Sequence, residues 1–399
     1  MIETRLSRSL FASLRARTLE LEESVAKRWV GADCQSQVCL ALNDWVRRLA
    51  VDWPRAFVGS ASGSLHLCDL TNGETLCRVD GAHPGRGGSE RDMRLLYGDF
   101  DGGGPTAVAF AGECAVSAGR DGNARLWRVD GDAFEQVCEL PTDGALVSAI
   151  AVGGSADGAG GMPTAIWLAC LDGTVRCYEP ASADDVRRKC TLRCADAVLC
   201  IALCETSGVV AAGTADGGVE CYRAADGAPC GQWRSHAFDG SKGYKGAATR
   251  SVAIAPVGNT RYLIAGGSDG TLHMRALRDA SSAEDEQEAE DVFSAGVAAR
   301  PLLPAHGGAC VALTPLQPSQ GTSLLVSGAC DSTLRVWDLA EAASSTDNKK
   351  TCCLFGLGGY KVWLGSVWTD GRRLVSDGRD NAVVVHDFSA EQPVPTEEE

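Results

Sequence analysis

The sequence predicts an all-β fold, a closed ring of seven small antiparallel sheets preceded by a short α-helical extension. Three observations carry this expectation. Gly supplies 47 of 399 residues, about 12% against a usual ~7%, so the chain needs many tight turns. A unit of apolar strand, tight turn and alternating strand recurs seven times. A second short apolar strand precedes each unit, always in the same order. Such a unit cannot bury its faces alone, so neighbouring units must stack into one body.

The units run over 57–70, 115–129, 166–180, 209–223, 263–277, 324–339 and 373–388. Their turns fall at Ser62, Asp121, Asp172, Asp216, Asp269, Asp331 and Asp380. Gly follows the Asp in four of them, and Asp-Gly between alternating apolar residues is a strong hairpin signal because both tolerate positive φ. Six residues beyond each turn stand Cys68, Trp127, Tyr178, Tyr222, Arg275, Trp337 and His386, an even spacing that keeps them on one strand face. The upstream strands centre on Ala50, Ala109, Ala149, Ala202, Ala253, Ala312 and Val367. The last unit lacks an outer strand of its own, because Ser389–Glu399 is acidic and contains Pro. Gln37–Ala41, within about residues 36–42, is the expected donor and would close the ring from both ends of the chain.

This pattern resembles the WD-repeat family of β-propellers over residues 36–390. The sixth unit carries the chain's one Trp-Asp dipeptide, Trp337-Asp338. The family's structural tetrad maps there onto His306, Ser327, Asp331 and Trp337, and the second unit keeps Ser117, Asp121 and Trp127. The resemblance implies a seven-bladed propeller acting as a non-enzymatic protein-interaction module. In an antiparallel blade with strands a to d, the b–c turn and the d–a loop share one end. His306 can therefore reach Asp331, and a buried carboxylate is tolerable only when paired.

Residues 1–35 precede the ring. Leu6, Leu10 and Leu14 with Phe11 form one apolar helical set, and Leu21, Val25 and Trp29 a second. One reading is a helical arm packed on the propeller, the docking element of a scaffold subunit in a multiprotein complex. In the other, the segment resembles a degenerate F-box, with Leu10-Phe11 and Leu14 matching its middle, Leu19 the next position and VAKRW (25–29) its end. That resemblance implies a substrate-recognition subunit of a cullin–RING ubiquitin ligase. The adaptor would then be bound by helix-in-groove packing through Leu6, Leu10, Phe11, Leu14, Leu19, Val25 and Trp29.

The rest of the sequence narrows the function by exclusion. A net charge of −15 argues against nucleic acid and anionic membrane surfaces, whose binding starts from a positive field. Cys190, Cys194, Cys200 and Cys204 lack zinc-ligand spacing and read as small apolar strand residues. GSKGYKG (240–246) is not a phosphate-binding loop, and no catalytic constellation, metal set or cofactor motif stands out. Eighteen cysteines without a disulfide-scaffold density fit the cytoplasm or nucleus. Basic residues among the first 18 leave an organelle transit peptide as the alternative.

The expected protein-binding face is the end carrying the b–c turns. It includes Arg120, Leu171 and Arg379 just before three turns, with Arg91, Arg94, Tyr97, Tyr244 and Lys245 from two long d–a loops. Arg and Tyr are common interface anchors. The acidic c–d loop Asp279–Asp291 is expected at the opposite end, and the acidic tail 391–399 is expected to be disordered.

Overall fold

In a computed structural model of the chain, each predicted hairpin is the b–c pair of a four-stranded antiparallel sheet. Seven such blades span 46–79, 105–140, 147–193, 198–234, 249–302, 310–357 and 367–387. The structure describes residues 2–85, 87–97, 104–154, 163–182, 185–236, 247–278, 291–293, 298–317, 319, 321–360, 364–379 and 381–389. Side chains of 2–14, 16, 97, 181–182 and 378–379 are outside that description. Tyr244, Lys245, most of the acidic loop and the tail 391–399 also lie outside the described residues.

The order of layers follows the residue types. The b strands Cys114–Gly119, Val209–Thr214 and Leu324–Ala329 are buried at every position, so they are continuous runs of small and apolar residues rather than alternating ones. Outer strands such as Asp185–Arg193 turn most of their residues to solvent and carry the charges. The a strands line a central channel.

The seventh blade is assembled from both chain ends. Gln35–Ala41 pairs antiparallel with Ala382–Asp387, from Gln35 opposite Asp387 to Ala41 opposite Ala382. Tight turns make the geometry possible. At Gly217 φ is +85°, and a Cβ there would meet the carbonyl oxygens of Ala247 and His236 at 2.5 Å. The b–c turns and d–a loops do share one end. The amides of Ala61, Leu171, Ala215, Ser268 and Cys330 donate to the carbonyls of Trp45, Leu146, Ala197, Ala248 and Ala309.

The amino-terminal segment differs from the expectation of two short helical sets. It is one helix, α1, over Ile2–Gly31. Its last turns are seated on blade 7, where Trp29 is fully buried and stacks on Phe388 with ring centroids 3.7 Å apart. The indole Nε1 donates to the Gly371 carbonyl at 2.8 Å, and Val25 joins Leu324, Leu374 and Phe388 in one apolar cluster. This corrects the adaptor-contact set: Val25 and Trp29 are held by the ring and face no outside partner, because burying an indole against an aromatic ring outweighs leaving it in water. Leu19 is 45% exposed. Leu6, Leu10, Phe11 and Leu14 lie on α1, with side chains outside the description.

Candidate functional site

The networks that hold the blades come first, because they separate structural polar groups from available ones. In blade 6, Trp337 Nε1 donates to Ser327 Oγ at 2.8 Å, and His306 Nε2 lies 2.7 Å from the same oxygen. A hydroxyl that accepts from the indole donates to Nε2, which turns the imidazole Nδ1–H toward Asp331, 3.2 Å away. Blade 2 repeats the arrangement with His83, Ser117, Asp121 and Trp127. Burial raises the Asp121 carboxyl, but bonds and charge from His83 and Arg125 outweigh it and bring it to about 2. These groups bond one another inside the wall of the ring. Each network ties the loop, the b strand and the c strand of its blade together.

The face built from the b–c turns has a roof of its own. The long loop after blade 1 contains helix α2, Glu90–Tyr97. Ser89 and Asp92 cap it reciprocally: the Ser89 amide donates to Asp92 Oδ2 at 2.8 Å, and the Asp92 amide to Ser89 Oγ at 3.2 Å. Leu96 and Met93 pack on Leu146 and Leu171 of blade 3. At its far end the partly buried Arg250 of blade 5 donates to the carbonyls of Leu95 and Leu96, where a cation also suits the negative end of the helix dipole. Leu95 and Leu96 thereby cover the central channel, which encloses about 290 Å³.

Inside the channel, Arg48 Nε donates to the Thr106 carbonyl at 2.6 Å. Asp377 accepts from the amides of Gly365 and Ser366, both at 3.1 Å. Burial pushes the Asp377 carboxyl up to about 6, although those amides and Arg48 pull the other way. Off-centre, over blades 7, 1 and 2, a groove of about 600 Å³ remains open. Trp45, 56% exposed, forms one wall, and the Arg47 guanidinium sits 5.1 Å from its ring centroid.

The predicted face residues divide by position. Arg91 and Arg94 lie exposed on α2, paired with Asp196 at 3.0 Å and Glu90 at 2.8 Å. Tyr97 ends the same helix and Arg379 ends strand b of blade 7, with side chains outside the description. One expectation is corrected. Arg120 is only 6% exposed and turns to donate to the Gly87 carbonyl at 3.2 Å, because the long loop folds back over its turn. Leu171 is partly buried, packed against Leu96 and Leu146. Sequence reasoning missed Trp45, Arg47, Arg250 and Asp377. The one available signal was Ser89 three residues before Asp92, a capping pair that marks a helix start inside what read as a loop.

Among the described residues no three His, Cys, Asp or Glu side chains gather as a metal site. Three of the four cysteines weighed for zinc have separate partners: Cys200 Sγ faces the Thr249 carbonyl, Cys194 Sγ the Tyr222 hydroxyl and Cys204 Sγ the Thr206 hydroxyl. Burial pushes the Cys200 thiol up to about 12. Among the described residues no helix is long and apolar enough to cross a membrane.

Comparison with known proteins agrees with this architecture. Residues 300–338 match the family described as WD domain, G-beta repeat, and that segment holds the tetrad of blade 6. The crystal structure of the computationally designed Ika8 protein is similar, with a TM-score of 0.53 and 17% identity. The alignment covers 88% of this chain and 99% of the designed one. At that identity the likeness concerns the fold alone. No curated protein matches the chain. The family match and the seven blades together support a WD-repeat propeller.

Proposed function

We propose that the protein is a non-enzymatic interaction subunit that holds a partner protein on the b–c-turn face and docks into a larger assembly through α1. WD-repeat propellers generally serve as interaction scaffolds, and the polar networks of blades 2 and 6 are consumed in holding the ring. The observation that carries the reading is α1 itself. Among its described side chains this 30-residue helix is buried at Val25, Ala26 and Trp29, while Leu19 and Leu21 face solvent at 45% and 41% exposure. A helix of that length gains most of its stability from tertiary packing, and no described residue buries those leucines.

The narrower form is an F-box/WD-repeat substrate receptor of a cullin–RING ubiquitin ligase. Exposed Leu19 favours it, since it falls at a position of the F-box-like pattern. The continuity of α1 and the withdrawal of Val25 and Trp29 favour the scaffold form. Either role belongs in the cytoplasm or nucleus.

An affinity purification of the full chain separates the two. Adaptor and cullin recovered together, and lost with Phe11→Asp or Leu19→Asp, identify the receptor. A fixed assembly without cullin, lost with the same variants, identifies the scaffold. Partner recovery unchanged by both variants removes α1 from the proposal.

A further inference from the structure

Among the described side chains of α1, the ring buries only those of the last turns. Val25, Ala26 and Trp29 are buried there, whereas Arg17, Thr18, Leu19, Glu20 and Leu21 are all exposed. Five consecutive residues sweep the full circumference of a helix of about 3.6 per turn, so no face of this stretch is closed off. The sequence nevertheless carries an apolar stripe through it. Leu14 and Leu21 stand one heptad apart, with Leu10 four residues before Leu14, a spacing that puts the three positions on one side of the helix. Leu21 is 41% exposed on that side. Leu19 lies about 200° further round and belongs to the other side.

The charges of α1 are sorted along its length. Arg5, Arg8, Arg15 and Arg17 follow one another with no acid between them, and Glu20, Glu22 and Glu23 come next. Glu3 precedes this run, and Lys27 and Arg28 end it. Arg15, Arg17, Glu20, Glu22 and Glu23 make no hydrogen bond or ion pair among the described residues. An acidic partner would answer the arginines and leave the glutamates, and so would the acidic stretch 391–399 of this chain. A second α1 running in the opposite direction answers both. With a twofold axis between Thr18 and Leu19, Arg15 is level with Glu22 of the second copy and Arg17 with its Glu20, and symmetry repeats each match. Parallel copies would instead set arginine level with arginine and glutamate with glutamate, where like charges repel. Arg28 donates to the Phe388 carbonyl, and it lies with Lys27 beyond the matched turns.

We propose that α1 pairs antiparallel with the α1 of a second copy through residues 14–23. The Leu14 and Leu21 positions form the seam, and Arg15, Arg17, Glu20 and Glu22 form its charged borders. The pairing goes beyond the docking reading above and leaves Leu19 to it, on the side turned away. Two short helices bury little surface, so the dimer belongs with weak, reversible ones, with a Kd on the order of 10 μM. Because its charges are near the surface, affinity should fall as ionic strength rises.

The test is sedimentation equilibrium of the full chain at concentrations from about 1 to about 200 μM, a range that brackets the expected Kd. A reversible monomer–dimer equilibrium is expected, weakened about tenfold or more by Leu21→Asp and unaffected by Leu19→Asp. Arg15→Glu with Arg17→Glu should abolish self-pairing, as should Glu20→Arg with Glu22→Arg, and mixing those two variants should restore a dimer. None of these side chains is buried, so the variants should keep the wild-type melting temperature. The chain carrying all four charge reversals should pair with itself and not with fluorescein-labelled wild type, because only antiparallel copies of one kind match sign at every level. Mixed dimers of those two chains would mean parallel pairing and overturn the register. A chain monomeric throughout, or a dimer indifferent to Leu21→Asp and to the reversals, overturns the pairing. If the chain is monomeric and an assembly is lost with Leu19→Asp, the docking reading survives and the pairing does not. If the chain pairs and no assembly is recovered, the pairing survives and the docking reading does not.

Discussion

Blades 6 and 7 are neighbours in the ring and fill the same position with different chemistry. In blade 6 an indole, a hydroxyl and an imidazole form a closed set on one continuous stretch of chain. In blade 7 Tyr360 stands where the loop histidine would be, Ser376 in strand b, and His386 where the tryptophan would be. The Tyr360 hydroxyl lies 2.6 Å from His386 Nε2, and Ser36 of the closing strand lies 2.6 Å from Nδ1. The Ser376 hydroxyl reaches Tyr360 only at 3.4 Å. The position asks for a flat ring with a polar edge, and several residues meet that demand. The replacement has consequences, because blade 7 puts an imidazole where blade 6 has an indole and depends on a strand from the far end of the chain.

The largest expected effect removes that strand. Deletion of residues 35–41 should lower the melting temperature by more than about 10 °C, since it strips Ala382–Asp387 of its outer partner and opens the ring. An unchanged calorimetric melt would end the idea that closure is stabilising. Next come the two buried indoles, Trp337→Ala in blade 6 and Trp29→Ala on blade 7, each expected to cost about 3–5 kcal/mol in denaturant unfolding. If Trp29→Ala costs under about 1 kcal/mol, α1 is only loosely attached.

Acid should act on blade 7 through two buried groups of opposite sign. Burial lowers the His386 imidazole to about 4, so the unfolded chain takes up its proton first as pH falls. The stability tied to a neutral His386 is complete above about pH 6.5 and is lost between there and about 4, on the order of 3 kcal/mol. Asp377, raised to about 6, works the other way: its protonated form favours the native state as pH falls from about 6 to about 3.8. Unfolding of His386→Gln compared with wild type at pH 7 and 4.5 isolates the first effect. The variant should lose less stability on acidification, and parallel losses would show that His386 does not titrate as a buried group.

The smallest effects compare the two hydroxyls. Ser327→Ala leaves both Trp337 Nε1 and His306 Nε2 without their shared partner, an expected cost of about 2 kcal/mol. Ser376→Ala removes one long bond and should cost about 0.5 kcal/mol or less. Equal costs would mean that blade 7 relies on Ser376 more than its geometry suggests.

Much of the ring was legible because each repeat is local. The turn residues from Asp121 to Asp331 and the apolar strands around Ala109 or Ala312 lie within one unit, and their periodicity reports the hairpins directly. The closing strand was legible for a different reason. Blade 7 lacked an outer strand, and Gln37–Ala41 was a strand-like segment without a blade. The candidate site was legible only in part. Arg120 was correctly placed at a b–c turn, yet it is buried beneath Gly87 because a loop from another blade crosses it. Arg48, Arg250 and Asp377 meet in the channel from strands more than a hundred residues apart, and no local pattern connects them.

What the sequence determined by itself was the repeat: how many blades, where each turns, and which positions face inward. Those follow from backbone sterics at Asp-Gly turns and from the two-residue period of strands, which act over a few residues. The tertiary structure alone decided which polar residues are spent and which are displayed. Trp29 became core and Trp45 surface, α2 became a roof over the channel, and Arg250 became its anchor. Such assignments depend on burial and charge among groups that only the closed ring brings together.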